Sequence, residues 1–173
     1  MAEPRRSSFG RCTAVAIAVV GLTLTSCAQI RAQLASSSTG SGAPNAAERQ
    51  IIDAVNRFRG AHGLRALSVQ SNLEDKARLW AAYMAGGNCG RSASGTPMIC
   101  HSDVTSGITV RWSLLEENVG AITPATNIAG LVSRFEASPE HAANMLNTSI
   151  TSIGVGVAYS GNTLFVAEEF MAQ

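Results

Sequence analysis

Between Ile153 and Met171 the chain switches to a two-residue period, and this switch constrains the fold more than any other feature. Ile153, Val155, Val157 and Tyr159 alternate with Gly154, Gly156 and Ala158, the repeat of a strand. Ser160-Gly161-Asn162 reads as a turn, and Thr163 to Met171 as the return strand of a hairpin. That return strand is apolar on both faces except at Glu168-Glu169. A strand buried on both sides requires helices above and below it. Adjacent residues on a strand point to opposite faces. The plainer expectation for the two glutamates is solvated surface; the alternative sends one into a cavity and the other to its rim.

The helices have their own signals. Asn45-Ala-Ala-Glu48 has the form of a capping box, followed by Ile51, Val55, Phe58 and His62 at helical spacing until Gly63. Ser71-Asn-Leu-Glu74 reads as a second capping box, and Leu73, Ala77, Trp80, Ala81 and Met84 make an apolar face that stops at Gly86-Gly87. A third helix is expected from about Pro124, with Ile128, Leu131, Val132 and Phe135 on one stripe. Ser138-Pro139 opens a fourth, Ser suiting the N-cap and Pro the first turn. A short strand is expected around Leu114 to Ala121. The order gives an α+β domain, a three-layer α-β-α sandwich closed by a C-terminal β-hairpin, over residues 46–173.

The start of the chain is different. Arg5, Arg6 and Arg11 precede an apolar run from Thr13 to Thr25. That run fits the apolar stretch of a signal peptide and is too short for a spanning helix, which needs about 20 residues. It ends in Leu24-Thr25-Ser26-Cys27, which resembles the cleavage and lipidation site of bacterial lipoproteins. Residues 1–26 are therefore read as a signal peptide and Cys27 as the acylated residue, with ordinary secretion as the alternative. Two or three acyl chains anchor a protein lastingly where one is marginal. Residues 27–45 are a flexible tether of Ala, Gln, Ser, Thr, Gly and Pro. The expected location is the bacterial envelope, lipid-anchored and outside the cytoplasm.

Net charge is +1, and no basic patch points to nucleic acid. The thirteen basic residues include a single lysine, Lys76, which reads as a compositional bias towards arginine. Of the four cysteines, Cys12 leaves with the signal and Cys27 carries lipid. Cys89 and Cys100 remain, in a compartment where disulfides persist. A bridge between them would close an otherwise loose segment and stabilise it by about 3 kcal/mol. Metal binding by the two thiols is the alternative, but no second pair exists.

Several motifs then resemble one family in the same order. Asn56-Arg-Phe-Arg59, Gly63-Leu64, Leu73, Ala77, Ala81 and Met84-Ala85 resemble the opening helices of the CAP superfamily, also called the SCP domain. This group holds cysteine-rich secretory, antigen-five and pathogenesis-related proteins. Cys100-His101-Ser102, Glu117-Asn118-Val119, Ser138-Pro-Glu-His141-Ala-Ala-Asn144 and Ile153-Gly-Val-Gly-Val-Ala158 resemble its later motifs. The resemblance implies that His101, His141 and Glu117 line a cavity. Two imidazoles and a carboxylate suit a divalent cation such as zinc, with water in the fourth position. Ser138 stands where many members carry a second cavity glutamate. His62 reads as a helix-end residue, and Arg59 invites a carboxylate partner, either Glu117 or Glu169.

The resemblance implies an extracytoplasmic binding module, expected to be a monomer, whose groove takes a divalent cation, a lipid or a protein partner. Two alternatives stand beside it: a metal-assisted hydrolase or peptidase using His101, His141 and Glu117, and a structural envelope protein in which these residues only lock the fold. No catalytic residue is assigned. Gly-x-Ser-x-Gly and His-Glu-x-x-His are both absent, which weighs against an enzyme.

Overall fold

A computed structural model describes residues 42–173. The expected signal peptide, Cys27 and most of the expected tether lie outside the described residues. The elements run α1 (Ala46–Ala61), β1 (Ser68–Val69), α2 (Ser71–Ala85), β2 (Leu114–Ile122), α3 (Ile128–Ala137), α4 (Pro139–Leu146), β3 (Ser152–Ser160) and β4 (Thr163–Ala172). The sheet order is β1-β3-β4-β2. β3 and β4 form the expected hairpin, with Val157 opposite Val166. β2 is antiparallel to β4 and ends the sheet. Among the described residues no helix is long and apolar enough to cross a membrane.

The strand period sorts the two layers. Ile153, Val155, Leu164, Val166 and Phe170 join Ile51, Val55, Leu131, Phe135 and Met145 in the larger core, under α1, α3 and α4. Phe165, Ala167 and Val119 pack with Ala77 and Met84 of α2 on the opposite face. β4 is thus covered from both sides. Glycines make this possible on the α2 side. A Cβ on Gly156 would lie 2.1 Å from the backbone carbon of Ala77, and one on Gly154 would lie 2.3 Å from the backbone of Leu73 and Glu74. The helix backbone rests directly on β3, closer than any side chain permits.

The first capping box forms as read. Asn45 Oδ1 accepts from the Glu48 amide, and Glu48 Oε2 accepts from the Asn45 amide at 2.8 Å. The second does not: Gln70 caps α2, its Oε1 accepting from the Leu73 amide at 3.0 Å. The third helix starts at Ile128 and not at Pro124, because Asn127 Oδ1 takes the Gly130 amide. Pro139 occupies the first turn of α4, while the Ser138 side chain makes no cap hydrogen bond.

Arg59 has carbonyl partners and no carboxylate. Its guanidinium donates to the carbonyls of Arg65, Met145 and Asn147 at 2.9, 2.8 and 3.0 Å. It ties the end of α1 to the end of α4, where helix carbonyls lack internal partners.

Candidate functional site

The site is built around β2. Cys89 and Cys100 form the expected disulfide, with Cα atoms 5.7 Å apart. Contacts from the α2 side therefore hold the following segment. The disulfide grips it just beyond the helix end, the Trp80 indole donates to the Cys100 carbonyl at 2.8 Å, and Asn72 bonds the backbone of Gly107 and Thr109. Between α2 and this segment lies a cavity of about 440 Å³, lined by Asn72, Lys76, Leu79, Trp80, Ser102 and Ser106 among others.

At its inner end stands a charged cluster. Glu117 on β2 and Glu169 on β4 are cross-strand partners, and both are buried. The Lys76 ammonium lies 2.5 Å from Glu169 Oε1 and 3.8 Å from Glu117 Oε2, and donates to Ser102 Oγ at 2.7 Å. Glu117 Oε1 meets His101 Nδ1 at 2.8 Å and accepts from the Ser102 amide at 2.8 Å. The His101 side chain is 65% exposed, so the pair runs from solvent into the protein. Burial pushes the Glu117 carboxyl up, but bonds from Ser102 and His101 and the charge of Lys76 outweigh it and hold it below its ordinary value. It is a carboxylate, so Nδ1 of His101 is the donor of their hydrogen bond. For Glu169, burial is the largest effect and pushes its carboxyl up to about 8 against the pull of Lys76.

The opposite layer contributes the second imidazole. Asn118 donates to the His141 carbonyl at 3.2 Å and to Glu168 Oε2 at 3.0 Å. Asn144 donates to Asn118 Oδ1 at 2.9 Å. This ladder fixes α4 on β2. The His141 ring packs on Phe135, centroids 4.7 Å apart, and its buried Nδ1 has no hydrogen-bond partner. Burial lowers the His141 pKa, and the nearby charge of His101 lowers it further.

The three residues expected to share a site are thus joined unequally. His101 and Glu117 bond directly. His141 reaches the same strand from the other layer and is coupled to His101 only through space. Among the described residues no three His, Cys, Asp or Glu side chains are placed to hold a metal ion together. Of the triad expected for zinc, Glu117 bonds His101 and faces the Lys76 ammonium at 3.8 Å, while His141 stands in the other layer. The expectation of solvated surface for Glu168 and Glu169 fails: they are 0% and 1% exposed. They do point to opposite layers, one to Asn118 and one to Lys76. Sequence reasoning missed Lys76, though its being the sole lysine was a visible signal.

A four-stranded mixed sheet between one helix and three, with an acid–imidazole pair at the edge strand, defines an α-β-α sandwich domain with a polar groove. The chain belongs to the CAP family, the cysteine-rich secretory protein family, whose model matches residues 52–171. No curated protein sequence matches it. Among solved structures it is similar to an extracellular SCP-domain protein from Bacillus anthracis, at 24% identity and TM-score 0.59, over 73% of this chain and 40% of that one. The chain therefore spans less than half of that protein. An outer surface protein from Borrelia burgdorferi gives 18% identity and TM-score 0.59, over 73% of this chain and 92% of that one. A cysteine-rich secretory protein from Staphylococcus aureus gives 16% identity and TM-score 0.54, over 73% of this chain and 38% of that one. These likenesses support the fold.

Proposed function

We propose that this chain is an exported, lipid-anchored binding module of the bacterial envelope, and that the cavity between α2 and the disulfide-pinned segment takes a small amphiphile. The observation that carries this is the cavity itself. Its volume of about 440 Å³ falls in the range of small-molecule sites, on the order of 300–1,000 Å³. Leu79 and Trp80 give it an apolar wall, and Asn72, Ser102, Ser106 and the carboxylates of Asp75 and Asp103 give it polar groups that favour a neutral polar end over an anionic one. An acyl chain against the wall and a polar end at the hydroxyls match that division. The signal-like start of the sequence, and the extracellular and outer-surface descriptions of the Bacillus and Borrelia proteins, support export.

The test uses Trp80 as reporter in a Trp112→Phe background, since the chain has two tryptophans. Titration with decyl maltoside, a neutral amphiphile, below its micelle concentration is expected to shift Trp80 emission saturably. Leu79→Asp, at a side chain already exposed, is expected to weaken the effect about tenfold. Unchanged emission throughout the titration rejects the reading. The metal-assisted hydrolase remains the competing proposal for the same groove; ester or peptide turnover that vanishes in His101→Ala would favour it. A purely structural role would instead show as a lower melting temperature in His101→Ala with ligand binding and every phenotype intact.

A further inference from the structure

Much of the cavity's polar lining is already engaged. The Asn72 amide donates to the Gly107 carbonyl at 3.0 Å and accepts from the Thr109 amide at 2.9 Å. The Trp80 indole is spent on the Cys100 carbonyl. The capacity that remains is of two kinds. Asp103 turns Oδ1 to the Thr105 amide and hydroxyl at 2.9 and 2.7 Å, which leaves Oδ2 as an acceptor towards a ligand. Asp75 adds a second carboxylate to the lining, 4.0 Å from the Arg78 guanidinium. Carboxylates only accept. Ser102 is the opposite case. Its Oγ already accepts from the Lys76 ammonium at 2.7 Å, so its own hydroxyl hydrogen is left to donate.

A head that satisfies this lining must donate to the acids and accept from Ser102. An ammonium head only donates, and a phosphine oxide head only accepts. A carboxylate head would meet two like charges. A hydroxyl group both donates and accepts. We propose that the cavity selects amphiphiles whose head carries several neighbouring hydroxyl groups, as a glycoside does, with the head at Asp75, Ser102 and Asp103 and the alkyl chain against Leu79 and Trp80. This inference rests on the cavity being an amphiphile site and names the head that such a site prefers. A head lacking either function leaves the acids or the Ser102 hydroxyl unpaired once water is displaced, and unpaired polar groups are the stronger source of discrimination.

The test is calorimetric titration of the full chain with three ligands that share a decyl tail: decyl maltoside, decylammonium and dimethyldecylphosphine oxide, each below its micelle concentration. The maltoside is expected to bind at least about tenfold more tightly than either of the others. Asp103→Asn, at an exposed position, keeps an oxygen for Thr105 and loses the second acceptor. It is expected to weaken maltoside binding about tenfold and to leave phosphine oxide binding unchanged. Equal affinity for the three ligands, or tighter binding of decylammonium or the phosphine oxide, would overturn the head assignment while the amphiphile site stands. Full maltoside affinity in Asp103→Asn would do the same. Binding of none of the three would overturn the amphiphile site and the head assignment together.

Discussion

Glu168 and Glu169 differ only in which way the pleat turns them, and that alone gives them different chemistry. Glu169 faces α2 and meets a cation. Glu168 faces α4 and meets only the Asn118 amide, with its other oxygen unpartnered. Burial pushes the Glu168 carboxyl up to about 7, against the Asn118 bond. A carboxyl raised in the folded state is protonated there while the unfolded chain has already lost its proton. Its contribution to stability therefore falls as pH rises from the ordinary carboxylate range to about 7. Glu168→Gln keeps the acceptor for Asn118 and removes the titration. The loss of melting temperature between mildly acid and neutral pH should be shallower in Glu168→Gln than in wild type. Parallel pH profiles for the two proteins would contradict this. The opposite faces were legible in the sequence but the burial was not, because two adjacent glutamates look the same on a solvated strand and on a buried one. What decides is the helix packed over each face, and that is a long-range fact. The sites named at His101, Glu117 and His141 came from the order of family motifs. Their spacing carries no geometry of its own.

At the scale of elements, periodicity and capping chemistry were enough to find the helices and the hairpin. They failed at boundaries where two residues compete for one role, as Gln70 and Ser71 do at the start of α2. The irregular segment between α2 and β2 was opaque, since side chains of α2 fix its course while its own turns, such as Asp103 to Thr105, order it only locally. Its disulfide was the exception, because only two cysteines remained for an exported domain. Cys89→Ser should cost about 3 kcal/mol on chain-entropy grounds. Melting temperatures that agree in oxidising and reducing buffer would refute it. The packing of α2 on β3 gives a second prediction. Gly156→Ala places a methyl 2.1 Å from the Ala77 backbone and should destabilise by about 1–3 kcal/mol or more, read by denaturant midpoint. A neutral result would mean that the helix can lift off the strand without loss.

For the whole molecule, the expected lipid tether would hold at a membrane a domain that carries a cavity between α2 and the disulfide-pinned segment. Two features were readable early: the signal-like run ending in Cys27, and a terminal strand that demanded cover on both sides. If Cys27 carries lipid, Cys27→Ala should move the protein from the membrane fraction to the soluble fraction. Continued membrane association would refute the anchor. The domain's part in that arrangement rests on the cavity beside Trp80. The most direct measurement is calorimetric titration of decyl maltoside, below its micelle concentration, into the wild type and Leu79→Asp at several temperatures. Saturable binding with a negative heat-capacity change, weakened about tenfold by the aspartate, is the predicted result. Absence of binding, or equal binding by both proteins, would contradict it.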